Sequence, residues 1–521
     1  MWNIEQRGAF VMSSLYDGKR FYWFGTEDNG PVRKTNARFF RFSRKTPFPC
    51  LFSGNCLRTQ EKSAHTGVLL LSLGPSVFYN SRLMNSSAPA PALILFFDHT
   101  ALMGGGEVSL LNLVTHLDRK RFEPVVVLAQ DGELRDKLAQ IGVEVHVLPL
   151  ASEVGEVRKD SLVGARSVSL SQVKHMARYI WQLSGFMRAR GADLVHANSL
   201  KADILGALAA RLAGVPVIWH VRDRIANDYL PRPATRGFRL ACRFLPSFLV
   251  VNSLATLETL HLPPSKRARV VYNGVVHDGL PPAQFEQARR EQILARGERR
   301  TTAPIIALVG RISPWKGQDV FLKAAAQVVD EFPGTRFQII GAPLFGEQDY
   351  EREVRALCTS LGLDQNVEWL GFRRDVPQLV AGCDLLVHAS KTGEPFGQVV
   401  VEAMMASRPV VATRGGGIPE IVLEGETGLL VPMNDAGAMA RAMETMLRDP
   451  ERAEEMGKNG ALRARSKFTI QRTASKIEAV YDFILARQRQ RETRRQGALL
   501  ALGAFSLGVG VAQRRERRAK K

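Results

Sequence analysis

Cysteine is scarce in this chain. Its 521 residues hold five, Cys50, Cys56, Cys242, Cys358 and Cys383, an odd number with no C-x-x-C pair. That usage excludes a disulfide-stapled scaffold, gives no zinc site and fits a reducing cytoplasm. Long hydrophobic runs are also wanting. Residues 1–20 contain no extended apolar segment, so no N-terminal signal sequence is visible. Val68 to Leu73 stops at Gly74-Pro75, too short to span a bilayer. Residues 497–512 are uncharged and flanked by arginines, but a helix of that length covers only about 24 Å, where a crossing needs roughly 20 residues. They read as an interfacial or re-entrant anchor, or else as a low-complexity tail. Acidic pairs of the D-x-D kind are missing. Gly104-Gly-Gly106 is not G-x-G-x-x-G and has no acidic residue at a fitting distance, which weakens a dinucleotide reading.

What is present is a basic excess, net +20, placed mainly at the ends. Residues 1–90 carry +7 and residues 487–521 carry +9, leaving +4 for residues 91–486. A nucleic-acid binder would hold its cations on the folded body, so the tails point instead to an anionic membrane surface. With 45% apolar and 23% charged residues the chain reads as globular, and its length calls for at least two domains.

From Ala92 the pattern alternates strand and helix. Ala92–Phe97, Pro124–Ala129, Val143–Leu148, Leu194–His196, Val217–His220 and Phe248–Val251 read as strands with helices between them. A second series starts at Ile305–Val309 and continues through Phe337–Ile340, Val367–Leu370, Leu385–His388, Val410–Ala412 and Leu429–Val431. Runs apolar on both faces, separated by helices, describe parallel sheets in an α/β protein. The predicted organisation is a first α/β domain at 91–283, a polar linker at 284–300, and a second domain at 301–468. A helix at 469–487 and a basic and apolar tail at 488–521 complete it. Residues 1–90 have no clear period; Met84 before a clean strand makes residues 1–83 read as a misassigned or poorly ordered extension, or else as a small membrane-contacting segment.

The chemistry concentrates in Ser390-Lys-Thr-Gly-Glu-Pro-Phe-Gly-Gln398. A buried strand ends just before it, Gly393, Pro395 and Gly397 turn the chain, and helical spacing follows, with Gln398 and Glu402 at i,i+4. A helix start offers free N–H groups at a positive dipole end, suited to phosphate, and Glu394 and Glu402 can accept from hydroxyls. An ordinary βα unit with solvated glutamates would look the same in isolation. Two further features favour a nucleotide-sugar site: Arg311 and Lys316 near a second turn, cations for two phosphates, and Gly415-Gly-Gly417 after the strand Pro409–Ala412.

Taken together, G-R-x4-K-G at 310–317, E-P-F-G with E-x7-E at 394–402, and G-G-x-P-E followed by G-x-T-G-L-L-V-P at 425–432 resemble glycosyltransferase family 4 over roughly residues 91–486. The resemblance implies the GT-B fold, two facing Rossmann-like α/β domains with parallel sheets and a cleft between them, and transfer with retention. By resemblance, Glu394 binds sugar hydroxyls and Glu402 ribose hydroxyls. Arg311 and Lys316 face the diphosphate, and the amides of Phe396, Gly397, Gln398 and Val399 cradle sugar and phosphate oxygens. Gly105 and Gly106 match the loop that reaches the donor phosphate, and His220 matches a histidine beside the reacting sugar. Phe372 stands where the base is held, or simply packs; Gly416 lets backbone approach the ligand, or simply leaves a strand. Arg222 and Arg224 are candidates for an anionic acceptor, with a local ion pair to Asp223 as the alternative. Asn198-Ser199 and Asn252-Ser253 are strand-end pairs fit to line that side.

The expected activity is hexosyl transfer from a nucleotide-diphosphate sugar to a lipid-linked or polysaccharide acceptor in envelope or exopolysaccharide synthesis. It is expected to need no metal or cofactor and no nucleic acid, and to act in the cytoplasm at the inner face of the membrane. A GT-B epimerase or phosphorylase, and a non-catalytic membrane- or nucleic-acid-binding protein, are the alternatives.

Overall fold

The computed structural model describes residues 10–16, 21–27, 90–151, 170–263, 265–276, 303–344 and 346–519. Within the first 89 residues, β1 (Phe10–Tyr16) and β2 (Phe21–Glu27) form an antiparallel pair, with Phe10 opposite Glu27 and Tyr16 opposite Phe21. The remainder of the proposed extension, and the proposed linker at 284–300, lie outside the described residues.

Residues 80–521 form one compact unit built on two parallel sheets. The first holds β3 (Ala92–Asp98), β4 (Phe122–Leu128), β5 (Glu144–Val147), β6 (Leu194–Ala197), β7 (Val217–Val221), β8 (Phe248–Val251) and β9 (Ala268–Val270), in the order β5-β4-β3-β6-β7-β8-β9. The second holds β10 (Ile305–Val309), β11 (Arg336–Ile340), β12 (Val367–Gly371), β13 (Leu385–His388), β14 (Val410–Thr413) and β15 (Leu429–Val431), in the order β12-β11-β10-β13-β14-β15. Both sheets are doubly wound. Strand order reverses between β3 and β6 in one and between β10 and β13 in the other, and such reversals open a crevice at the carboxyl ends of the strands.

Central strands are apolar on both faces because helices cover both. Leu93, Ile94, Leu95, Phe96 and Phe97 of β3 are all buried. The helix Gln398–Met405 buries Val400, Val401, Ala403, Met404 and Met405 beneath its sheet. β9 is three residues long and was not read as a strand in the sequence, since its Arg269 breaks the apolar pattern.

The last helix runs from Ile470 to Ala519, 50 residues without a proline. Phe468, just before it, belongs to the apolar core of the second domain. Ala474, Ile477, Val480, Tyr481 and Ile484 then pack into the first, against Ile94, Phe96 and Leu110. The return to the first domain is therefore as the resemblance implies. Its length is not: the chain passes 487 and 497 without turning, so residues 497–512 extend one helix rather than form a separate re-entrant element. Glycine weakens a helix by only about 1 kcal/mol and proline, the stronger breaker, is missing. Among the described residues no helix is long and apolar enough to cross a membrane.

Candidate active site

Each sheet presents its reversal point to the other domain. After β10 the chain passes Gly310 and Arg311 into a short 3-10 turn, Pro314–Lys316. Gly317 follows with φ +74°, and a Cβ there would overlap the carbonyl oxygen of Ala389, at the end of β13. This approach brings Lys316 against Glu394, with which it forms a buried ion pair. Glu394 also accepts from Ser390 Oγ at 3.0 Å and lies 3.3 Å from His388 Nε2. Thr413 Oγ1 stands 3.2 Å from His388 Nδ1 and donates to the Ser390 carbonyl at 2.9 Å. Burial works to raise the Glu394 pKa, but the Lys316 charge and the His388 contact outweigh it and hold the carboxyl well below its usual range.

Arg311 does not join this cluster. Its Nε pairs with Glu347 at 3.2 Å, and its guanidinium sits 6.0 Å from the Trp315 ring centroid, while Lys316 Nζ is 4.3 Å from the same ring. The helix Gln398–Met405 starts at Gly397, φ +110°, and no side chain caps it. Its first N–H groups are therefore available to an anion. Gln398 Nε2 donates to Glu402 at 3.1 Å, and its Oε1 accepts from Ser109 of the first domain at 3.2 Å. Burial pushes the Glu402 carboxyl up to about 7. The Phe396 ring is buried between Tyr272 and Phe468, so only its backbone faces the turn's chemistry.

Gly416 was expected to let backbone approach a ligand, or simply to leave a strand. It bridges Glu394, and with φ +61° any Cβ would run into the Glu394 carbonyl oxygen. Gly417 N adds a 2.8 Å bond to that oxygen. The glycine run thus holds the Glu394 turn in place. Phe372, 58% exposed at the end of β12, has its ring free to stack.

The first domain contributes a polar knot. Asp98 ends β3, fully buried, and accepts from Asn198 Nδ2 at 2.7 Å and Ser199 Oγ at 2.8 Å. Arg222 donates through Nε to Asn198 Oδ1 at 2.8 Å and through Nη1 to Asn273 Oδ1 at 2.7 Å. Burial lowers its pKa to about 10, opposed by the charges of Asp98, Glu107 and Asp203. So placed, Arg222 is a buried strut rather than an open contact for an anionic acceptor. Arg224 remains on the cleft side, donating to Asp228 at 2.9 Å and across to the Gly393 carbonyl at 3.2 Å. His220, at the carboxyl end of β7, is fully buried. The Gly104–Gly106 loop opens the helix Gly105–Thr115, where Glu107 accepts from Gly104 N at 3.0 Å. Burial and the Asp98 charge push Glu107 up to about 8.

The domains meet edge to edge in this region. Ser253 Oγ donates to the Pro395 carbonyl at 2.5 Å, and the Glu420 carboxylate accepts from Leu254 N and Ala255 N, both at 2.8 Å. Sequence reasoning missed His388, Thr413, His196, Asn273 and Glu420 as members of the site. The signal available was a polar residue within an otherwise apolar strand, as with His388 and His196; Glu420 lay in a motif already noted.

Two doubly wound domains with glycine turns, cations and an uncapped helix on facing edges define a GT-B glycosyltransferase. A family model described as "Glycosyl transferases group 1" matches residues 289–463, and one described as "Glycosyl transferase 4-like domain" matches residues 104–274. A D-inositol 3-phosphate glycosyltransferase of Mycobacterium sp. (strain JLS) is 30% identical over 338 residues, 60% of this chain and 75% of the relative. The Corynebacterium efficiens protein of that name is 28% identical over 398 residues, 73% of this chain and 90% of the relative. Among solved structures, Anabaena HepE in complex with UDP and glucose is 28% identical with a TM-score of 0.64, covering 75% of this chain and 99% of that one. The chain belongs to the group 1, family 4 glycosyltransferases.

Proposed function

We propose that this glycosyltransferase takes a nucleotide-diphosphate hexose and transfers the hexosyl group, with retention, to a lipid-linked or polysaccharide acceptor at the inner membrane surface. The observation that carries the donor half is the convergence of Lys316, Glu394 and the uncapped start of the helix Gln398–Met405 at one strand reversal. Amides and an ammonium suit phosphate oxygens; the carboxylates suit hydroxyls. HepE, which binds UDP and glucose, supports testing uridine donors first.

In this scheme the acceptor oxygen attacks the anomeric carbon from the face that the diphosphate leaves. The bond to the diphosphate oxygen breaks as the new C–O bond forms, and the acceptor proton passes to that departing oxygen. Lys316 and the helix amides stabilise the growing phosphate charge, and Arg311 joins them on leaving Glu347. No metal is needed for these steps.

Membrane association is supported by a cavity of about 520 Å³ between the first domain and the last helix. Arg211, Arg267, Arg487, Arg491 and Arg495 line it with Phe244 and Phe483, against one acid, Glu492. Phe244 and Phe483 are 68% and 43% exposed. Arginines around exposed aromatics suit an acidic phospholipid headgroup above its acyl chains.

Titration calorimetry of the full chain against UDP-, GDP- and ADP-hexoses tests the donor reading. Binding of one nucleotide class, lost in Lys316→Ala, is the expected result; no binding of any class overturns it.

A further inference from the structure

Behind His220 lies a line of buried polar atoms that the reaction scheme does not use. His220 Nδ1 is 3.1 Å from His196 Nε2 and 3.2 Å from Arg222 Nη2. His196 Nδ1 is 2.7 Å from the hydroxyl of Tyr481, on the long C-terminal helix. All three side chains of the line, His220, His196 and Tyr481, are fully buried. The far nitrogen of His220, Nε2, is buried with no hydrogen-bond partner among the described residues.

Donor and acceptor arithmetic fixes where the protons are. A guanidinium only donates, so in making this contact His220 Nδ1 presents its lone pair to Arg222. A neutral ring then carries its proton on Nε2. His196 Nε2 faces that same lone pair, and two lone pairs at 3.1 Å would repel, so His196 donates there and holds its proton on Nε2. Its Nδ1 is left as an acceptor, and the Tyr481 hydroxyl is the group that donates to it. Both rings stay neutral: burial and the nearby Arg222 charge bring His196 down to about 3 and hold His220 well below its ordinary value.

The geometry of the line is held from all sides. Phe96 stacks on His196 at 4.8 Å, Phe122 meets the Tyr481 ring edge-on at 5.3 Å, and Asn198 and Asn273 hold the Arg222 fork. We propose that Tyr481 and His196 are positioning residues that lock His220 as a neutral imidazole protonated on Nε2, aligned to donate one hydrogen bond to an oxygen of the bound sugar. This rests on the nucleotide-sugar reading for the identity of the acceptor oxygen, not for the relay itself. It gives the C-terminal helix a part in the chemistry: its docking on the first domain sets the proton on a residue of the reacting edge. It also makes His220 a hydrogen-bond donor and not a general base.

The test uses the full chain labelled with 15N-histidine. Long-range nitrogen–proton spectra distinguish the two tautomers, and the His220 signals are assigned by their loss in His220→Gln. Without ligand, His220 is expected to show the Nε2–H form and to stay neutral well below the ordinary imidazole range. Tyr481→Phe removes the donor that fixes His196, which can then accept on Nε2 from a His220 protonated on Nδ1 at the cost of the 3.2 Å Arg222 contact, so the His220 signals should move toward a mixture of tautomers. The same variant should lose about tenfold in kcat, the worth of one buried hydrogen bond, with little change in donor KM. His196→Gln, whose amide can still donate to His220 and accept from Tyr481, should retain both the tautomer and most of kcat. A structural role alone would leave the tautomer unmoved. A wild-type His220 protonated on Nδ1, or a folded Tyr481→Phe with unchanged tautomer or kcat, overturns the proposal. If the tautomers behave as stated while wild type binds no nucleotide sugar, the donor reading fails and the relay stands.

Discussion

Lys316 and Glu394 sit 78 positions apart in the chain and form a buried ion pair at the point where the second sheet reverses its strand order. Each neutralises a charge that the other's surroundings would otherwise leave uncompensated. The pair holds the ammonium and the carboxylate ready at the mouth of an uncapped helix.

Breaking that pair from one side leaves a charge buried alone. Lys316→Ala is expected to destabilise the fold by about 3 kcal/mol, while Lys316→Met with Glu394→Gln together should cost less than that single change. Urea unfolding of the two proteins checks the order; a larger loss in the double variant contradicts it. Because the Glu394 pKa is depressed in the fold, its contribution is present above the ordinary carboxylate range and disappears only as pH falls far below that range.

Glu402 behaves oppositely. Its folded pKa of about 7 lies above the unfolded value near 4.5, so the folded protein binds the extra proton between those limits. Stability should therefore fall as pH rises from about 4.5 to about 7. Glu402→Gln should flatten that part of the profile, and thermal melts across the range would read it; an unchanged slope places the titration elsewhere.

Glu420 ties the second domain to the first. Its carboxylate receives two N–H bonds from Leu254 and Ala255, and a charge-assisted bond contributes about 1.5–3 kcal/mol. Glu420→Ala should shift the solution ensemble toward an open form, seen as a larger radius of gyration by small-angle scattering, and lower kcat. Unchanged scattering would show that the remaining contacts, Ser253 to Pro395 and Arg224 to Gly393, suffice.

The arginine-lined cavity gives a surface prediction. Arg491→Glu with Arg495→Glu should abolish co-flotation with vesicles containing phosphatidylglycerol and leave donor binding intact. Wild-type binding to acidic vesicles should weaken as salt is raised and be lost on neutral vesicles. Equal binding of the variant would remove the cavity as the contact.

Much of the fold was legible beforehand. Both strand series, the site helix from Gln398 and the return of the last helix follow from period and punctuation, which are local properties of the chain. The motifs held Lys316 and Glu394, which the structure brings into contact. Arg222 and the length of the last helix read differently in three dimensions. Nothing in Arg222's neighbours in sequence reveals that Asn198 and Asn273 will claim its donors.

By itself the sequence determined the repeating βα units, because hydrophobic period, glycine turns and helix starts act over a few residues. It also determined the family, through motifs whose order is a property of the chain. Only the tertiary structure decided which polar groups meet. Lys316 faces Glu394, and Tyr481 faces His196 across 285 positions, because sheet order and the crossing of the last helix bring them together. Hydrogen bonds and ion pairs depend on distances of about 3 Å, and the chain's local pattern carries no record of such distances between remote residues.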